Sequence, residues 1–505
     1  MQMTNKRKIY LENREFKLEE NKNLPRVEYN EKKKKRNIPD RLSNLKTVEE
    51  EKAEKQEAVE DTLKVYRELM PTLLNRFSKI KDYRNPKKLK HKLAVLMAYG
   101  VLMFVYTYPS RREATEEMSK PIFLTNLQHL FPELESMAHG VTLGRLLEQI
   151  NVDEIQESLI CLFQKMIRNK KFKNHLYNKR YLLALDGSQK HISDKQWDEK
   201  WLTKCYGKGE EKKELYSVYV LECVFIMDNG VTLPLYSEFL DNEDYENGTS
   251  KQDCEPKAFY RLCNKIKKQF PNLKISVTVD GIYANGPIIR YCRKNNWDFM
   301  ITFKEGSMPE TFKEAMSLIN LDKENRLINI WGEREQVYSW VNNIEYRFGT
   351  LERFTEYLHV VVCNESWEEC SRLTGEMKKK ENRYVWISGV EITDKNVFKR
   401  CTLMGRYRWC IENNFLVMKH GGYNYEHFYS FNWNAMKGYH YLMNIGRFLN
   451  VLASNTELVK EKWVERMGIS GYLKFIKDSC RSNILDFSRI DEIVATRHYI
   501  KLAAS

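Results

Sequence analysis

The sequence lacks paired cysteines. Its eleven cysteines are scattered singly, and no Cys-x-x-Cys pair occurs anywhere in the 505 residues. The closest neighbours, Cys363 with Cys370 and Cys401 with Cys410, do not have zinc-finger spacing. This distribution argues against a disulfide framework and a zinc finger, and it is typical of reduced cysteines that pack inside a cytoplasmic protein.

The sequence also lacks a long apolar run. The longest one, from Leu93 to Tyr106, is shorter than the roughly 20 residues that a membrane-spanning helix needs, so we predict a buried helix there. The first residues, Met1-Gln-Met-Thr-Asn-Lys-Arg, have no apolar segment of the kind that directs secretion. We therefore expect a cytoplasmic protein without a membrane partner.

An excess of positive charge suggests a polyanionic partner. The chain has 83 Lys and Arg against 69 Asp and Glu, which gives a net charge of +14, and 42% of its residues are hydrophobic. At this length two or more domains are expected. Nucleic acid is the simplest polyanion for such a surface, although many basic proteins bind none.

Two regions precede the predicted sheet. Residues 1–58 are nearly all polar and carry a basic run at 32–36 and an acidic run at 49–51, so we expect a disordered charged arm. Residues 59–175 have helical spacing, including a stripe from Leu143 to Ile150 with Thr142 as its predicted N-cap. Positive charge at Arg111-Arg112, Arg145 and 165–173 favours a helical DNA-binding domain, with a scaffolding bundle as the alternative.

Strand patterns begin at Tyr181. We predict strands at 181–185, 216–227 and 231–240, the last two joined by the hairpin turn Asp228-Asn-Gly230. A helix (255–270), a strand (274–279), a helix (287–295) and a strand (298–303) follow. This is the order of a ribonuclease-H-like α/β core, whose mixed sheet is covered by helices on both faces.

The predicted core is interrupted. Residues 176–304 form its first part, and residues 305–400 are rich in β-branched and aromatic side chains, which predicts a β-rich insertion. Helix returns at 405–419 and continues to about residue 475. We assign 401–455 to the end of the catalytic core and 456–505 to a C-terminal helical segment.

Three carboxylates suit a two-metal site. Asp186 and Asp280 each end an apolar strand and precede a glycine, and Glu412 lies on the returning helix. Carboxylates on rigid backbone can converge within the few ångströms that a pair of Mg²⁺ ions requires. An isolated Asp-Gly turn is an ordinary loop more often than a ligand, so the strand before each aspartate carries the prediction.

Two cations flank Glu412 at helical spacing. Arg408 and Lys419 are offset by four and seven residues, close to one and two helical turns, so one face would present a ligand between two phosphate-binding cations. Basic residues fill 83 of 505 positions, so this spacing alone proves little.

With these residues the chain resembles the DDE transposases of bacterial insertion sequences, in the branch with a β-rich insertion and a Y-x2-R-x3-E-x6-K motif. The resemblance spans about residues 85–450 and includes 283–287 and 297–301. It implies Asp186, Asp280 and Glu412 as catalytic metal ligands, with Mg²⁺ as cofactor and Mn²⁺ as its substitute. Arg408 and Lys419 match the motif's DNA-binding arginine and lysine.

The resemblance also implies partners and a DNA hairpin. The partners are double-stranded DNA, both as inverted-repeat element ends and as target, and a second copy of the chain in a homodimer on DNA, associated with the bacterial nucleoid. Trp331 and Trp340 are candidates to stack on a flipped base, although most tryptophans in β-rich segments are core. The motif's tyrosine is missing: Gly405 stands in its place, and Tyr407 would point to another helical face.

Three functions are compatible with these patterns. The first is a transposase that cleaves element ends with water and joins the 3′-hydroxyl to target DNA. The second is a catalytically silent DNA-binding protein derived from a transposase, which the presence of all three carboxylates disfavours. The third is a metal-dependent nuclease that never rejoins strands. We expect His191, His420 and His427 to have hydrogen-bonded structural roles.

Overall fold

The computed structural model describes residues 43–206, 213–242, 252–322, 324–350, 352–370 and 376–504. The chain divides into two compact units. Of the described residues, unit 1 comprises those within 274–408, and unit 2 comprises those within 43–273 and 409–504.

Helices open unit 2. They are α1 (Val48–Phe77), α2 (Leu93–Val105), α3 (Arg111–Met118), α4 (Pro121–Leu130), α5 (Gly140–Leu147) and α6 (Asp153–Arg168). The prediction of a disordered arm is wrong for residues 48–58, because Thr47 and Glu50 form a capping box that starts α1. The predicted arm up to residue 42 lies outside the described residues.

Two helix predictions have clear outcomes. Helix α2 is buried along almost its whole length, as its apolar run predicts, and no described helix is both long and apolar enough to cross a membrane. The Leu143–Ile150 stripe is also buried. Its predicted N-cap is wrong, however: α5 begins earlier, where the His139 ring accepts a hydrogen bond from the Val141 amide at 3.1 Å.

The strands of unit 2 are antiparallel. They are β1 (Tyr181–Ser193), β2 (Leu202–Tyr206), β3 (Lys213–Ile226) and β4 (Thr232–Leu240), followed by α7 (Glu255–Gln269). One side of β3 pairs with β1, and the other pairs first with β2 and then with β4. The predicted hairpin is confirmed, with Gly230 at a φ of +81° in its turn.

Unit 1 contains a mixed sheet. Its elements are β5 (Ile275–Val279), α8 (Gly286–Lys294), β6 (Asp298–Thr302), α9 (Pro309–Leu321), β7 (Arg326–Trp331), β8 (Arg334–Phe348), β9 (Phe354–Cys370), β10 (Met377–Ser388) and α10 (Val397–Arg400). Strands β5 and β6 are parallel, and the antiparallel β10, β9, β8 and β7 continue the sheet beyond β6. The β-rich prediction for 305–400 is confirmed, because this region extends the sheet.

The chain then returns to unit 2. A π-helical turn (Cys401–Gly405) and a 3-10 turn (Arg406–Arg408) precede α11 (Trp409–His420), α12 (Trp433–Ser454), α13 (Glu457–Val459), α14 (Glu465–Ser482) and α15 (Phe487–Ala495). Helix α12 packs against α2, α5, α6 and β4. The helices predicted as a separate domain at 59–175 therefore share one unit with β1–β4. The protein is α/β, with parallel and antiparallel strands and N-terminal helices.

Candidate active site

Asp186 lies inside β1 and does not end it. The strand continues to Ser193 because its second half pairs with β3, where Glu222 stands opposite Asp186. The expectation of a strand end is therefore wrong at this position, since cross-strand pairing outweighs the polar Asp-Gly-Ser sequence. The Asp186 side chain is half-buried, and its Oδ1 accepts a hydrogen bond from the Gly187 amide at 3.0 Å.

A further carboxylate, Glu255, lies beside this segment. A Cβ at Gly187 would stand 2.4 Å from the Tyr219 ring and 2.7 Å from Glu255 Oε2, so only glycine fits there. Tyr219 donates a hydrogen bond to Glu255 at 3.4 Å. Burial, together with the charges of Glu255 and Asp186, raises the pKa of Tyr219. No motif in the sequence indicates Glu255, which is the first residue of α7.

A buried polar cluster surrounds Glu222. One carboxylate oxygen accepts from Tyr425 at 3.0 Å and the other from Ser237 at 2.6 Å. His440 Nε2 lies 3.0 Å from the first oxygen. Burial acts to raise the pKa of Glu222, but the charge interaction with His440 and the hydrogen bonds from His440, Ser237 and Tyr425 outweigh it and hold the pKa below its ordinary value. Burial lowers the pKa of His440, against the opposing effect of Glu222.

Lys190, on β1, is a second buried titratable residue that the sequence analysis did not identify. Its ammonium donates to the Tyr425 carbonyl at 2.7 Å and lies 4.9 Å from the centre of the Tyr425 ring. Burial lowers the pKa of Lys190 to about 7, against the opposing charges of Glu222 and Glu426. Lys190 lies at an irregularity in the pairing of β1 with β3, between Gln189 and His191 and four residues after the candidate ligand Asp186.

Glu412 lies on a helix that packs against the strand of Asp186. Helix α11 contacts β1 and β4 within unit 2. Ile411, Asn414, Phe415 and Met418 are its buried residues, and Glu412 in its first turn is exposed. The prediction that this glutamate lies on a helix packing against the first strands is confirmed.

Asp280 belongs to unit 1 and ends β5, as predicted. Strand β5 stops at Val279, and Asp280 precedes a 3-10 turn at Gly281–Tyr283. Its Oδ2 pairs with the Lys304 ammonium at 3.2 Å. The sequence analysis did not identify Lys304, which lies shortly after the end of β6. Because β5 and β6 are adjacent parallel strands, residues that follow them lie at the same edge of the sheet, and this could have indicated the pair.

Gly405 stands where the resemblance would place a tyrosine, and its surroundings leave no room for a larger side chain. A Cβ at this position would lie 2.9 Å from Trp386 Cε2 and Nε1, and the Trp386 side chain is buried. A tyrosine cannot occupy this site while the tryptophan stays in place. Gly405 also ends the π-helical turn, a local irregularity often found at functional sites.

Arg408 and Lys419 do not share one α-helix. Arg408 ends a 3-10 turn in unit 1 and is buried, whereas Lys419 is near the end of α11 in unit 2. The prediction of one helical face is wrong, because a 3-10 turn has about 3.0 residues per turn and changes the direction of side chains. Lys419 is 26% exposed and pairs with Glu426 at 2.9 Å.

The two candidate tryptophans differ in exposure. Trp340 is 2% exposed in the core of unit 1, so its ring offers no open face to a base. Trp331 ends β7 and is half-buried. The guanidinium of Arg406 lies 4.9 Å from the Trp331 ring centre and 5.1 Å from that of Tyr384. Of the two tryptophans, Trp331 is the better candidate for stacking.

The histidines have different surroundings. The His191 ring packs edge-on against Phe428 at 4.3 Å, and burial lowers its pKa. His427 Nδ1 accepts a hydrogen bond from the Tyr429 amide at 3.0 Å. Both contacts fit the structural role expected for these two residues, and His420 is exposed at the end of α11.

In the part of the chain that the structure describes, no group of three or more His, Cys, Asp or Glu side chains is arranged to hold a metal ion. The donor chemistry of the candidates still suits Mg²⁺, which prefers carboxylate oxygens. Asp280 already holds a cationic group, the Lys304 ammonium. Comparison with models of protein families and with curated proteins gives no match for this chain.

Proposed function

We propose that this protein is a DNA transposase that cleaves the ends of an insertion element and joins the 3′-hydroxyl to target DNA. The observation that carries the proposal is the packing of α11 against β1, which brings the helix of Glu412 back to the strand of Asp186. A ribonuclease-H-like core is part of the proposal. The antiparallel β1, β3 and β4 of unit 2 and the parallel β5 and β6 of unit 1 support it.

The proposed ligands are Asp186, Asp280 and Glu412, with Mg²⁺ as cofactor and Mn²⁺ as its substitute. Bound metal ions would activate the attacking oxygen and stabilise the leaving one. Arg408 and Lys419 would hold DNA phosphates, and Trp331 would stack on a flipped base. The chain would act as a homodimer on two inverted-repeat ends.

A strand-transfer assay tests this function. The full-length protein is incubated with Mg²⁺, a supercoiled target plasmid and duplexes taken from the DNA that flanks its coding sequence. Joined products are expected, and an Asp280→Asn variant serves as the inactive control. Cleavage without joined products would instead identify a nuclease, and binding without cleavage would identify a silent DNA-binding protein.

A further inference from the structure

A positively charged cleft lies in unit 2, away from the candidate ligands in sequence. It has a volume of about 700 Å³ and is lined by the segment after Asp82 and by α5. Arg84, Lys88, Lys90 and Arg145 line it, and none of the described residues that line it is acidic. Such a cleft attracts anions, because Lys88, Lys90 and Arg145 line it with no acidic side chain among the described lining residues.

Helix α5 presents a polar face to this cleft. Thr142 and Arg145 line it three residues apart on one side of α5, and Gln149 lines it from the turn that follows the helix. Gln149 directly follows the C-cap, and both Arg145 and Gln149 are exposed. The other side of α5 is the buried Leu143–Ile150 stripe, so the core fixes which residues face the cleft.

The opposite wall is held in shape by its own hydrogen bonds. The Arg84 guanidinium binds both Asp82 oxygens, at 2.9 and 2.6 Å, and also the His91 carbonyl at 3.1 Å. Asn85 caps the 3-10 turn Pro86–Lys88. Arg84 is thereby neutralised, whereas Lys88 and Lys90 are exposed on an ordered backbone, which lowers the entropic cost of binding.

We propose that this cleft recognises double-stranded DNA and that its two walls bind different parts of the duplex. Lys88 and Lys90 hold phosphates, which need no particular sequence, and Arg145 and Gln149 read base edges. Arginine suits guanine and glutamine suits adenine, because each can form two hydrogen bonds to one base. This proposal rests on the proposed function, because it names the surface with which the proposed transposase would recognise DNA. DNA binding at this surface needs no metal.

Selection from random DNA tests the proposal. Full-length protein in EDTA is mixed with 30-base-pair duplexes of randomised centre, and the bound duplexes are sequenced. The affinity of the protein for the enriched sequences is then measured by fluorescence anisotropy over a salt series. The Lys88→Ala/Lys90→Ala protein should select the same motif. Its slope of log affinity against log salt should fall by about 0.9 for each lost phosphate contact. A Lys268→Ala/Lys474→Ala protein loses equal charge outside the cleft and should retain the full slope.

Variants of Arg145, on α5, and of Gln149, just after it, should have a changed DNA sequence preference. Arg145→Ala and Gln149→Ala should each lose about tenfold preference at a position of the selected motif. Arg145→Lys keeps the charge but not the two-hydrogen-bond fork, so it should show the same loss even if the alanine variant folds poorly. An unselective wild-type protein, an unchanged motif in Arg145→Lys, or equal salt slopes in the cleft and control variants would each overturn the proposal. Binding that persists while strand transfer fails would reject only the transposase.

Discussion

At the scale of single residues, the candidate carboxylates have different electrostatic neighbours. Asp280 faces the ammonium of Lys304, whose side chain is 63% exposed, so this ion pair contributes at most about 1 kcal/mol and a divalent cation can displace it. Asp186 instead lies near Tyr219 and a second carboxylate, Glu255.

Replacing Asp186, Asp280 or Glu412 by alanine should reduce DNA cleavage below detection and leave DNA affinity within about twofold, because a lost ligand weakens metal binding but keeps the basic surface. Gel assays of cleavage and anisotropy measurements of binding check this. The exposed Asp394→Ala variant is the control and should cleave normally. If Glu412→Ala cleaves, the third ligand lies elsewhere, and Glu255 becomes the next candidate.

Gly405→Ala should destabilise the protein by about 1–3 kcal/mol, because its Cβ requires the buried Trp386 ring to move. Urea unfolding measures the loss. Gly306→Ala is the matched control, since a Cβ at Gly306 meets no atom within 4 Å. Equal stability of the two variants would show that the tryptophan does not constrain position 405.

At the scale of elements, β1 combines an active-site candidate with buried charge. Asp186 and Lys190 lie on β1, and the Glu222 cluster joins the neighbouring β3 to β4 and α12 through Ser237 and His440. Breaking a buried charged pair by removing one partner is strongly destabilising, by roughly 3–5 kcal/mol. Loss of one partner in this cluster should therefore weaken the packing of β3 against β4 and α12.

Lys190 should make stability depend on pH. Its pKa is about 7 in the folded protein and roughly 10.4 when unfolded, so between these values the unfolded state binds more protons and stability rises with pH. The unfolding free energy of the wild type minus that of Lys190→Met should rise by up to about 1.4 kcal/mol per pH unit from pH 7 to 10, because methionine does not titrate. Urea unfolding of both proteins across this range measures it. A constant difference would contradict a lowered lysine pKa.

Helix α11 carries the next prediction, at Lys419. Lys419→Ala should weaken DNA binding similarly for different sequences and lower the salt slope by about 0.9, because one phosphate contact is lost. The alternative is a surface ion pair with Glu426, worth at most about 1 kcal/mol.

Glu426→Ala separates these alternatives. If Lys419 binds phosphate, removing its carboxylate partner should tighten DNA binding, whereas a purely structural pair predicts that both variants lose a little stability and neither changes affinity. Anisotropy titrations and urea unfolding of the two variants distinguish the outcomes.

At the scale of the whole molecule, the net charge of +14 acts on any nucleic acid regardless of sequence. DNA binding should therefore persist without metal, whereas cleavage should not. Mg²⁺ and Mn²⁺ should support cleavage, and Ca²⁺ should not, because its looser coordination misplaces the reacting oxygens. Cleavage measured in EDTA and in each metal checks this, and efficient cleavage in EDTA would refute a metal-dependent mechanism.

Elements with local sequence signals were predicted correctly. The 228–230 turn sets the β3–β4 hairpin, the apolar run at 93–105 forms a buried helix, and the strand before Asp280 stops where predicted. Helix α11 also carries Glu412 as expected. Each of these depends on periodicity or turn chemistry within a few residues, which a single sequence displays directly.

Tertiary structure alone decided the rest. Pairing with β3 extends β1 beyond Asp186, and the buried Trp386 ring requires glycine at 405. Packing of α12 joins the N-terminal helices to the strands of unit 2. Folding also places Lys304 beside Asp280. These features depend on partners far away along the chain, so their energies appear only when the distant segments meet.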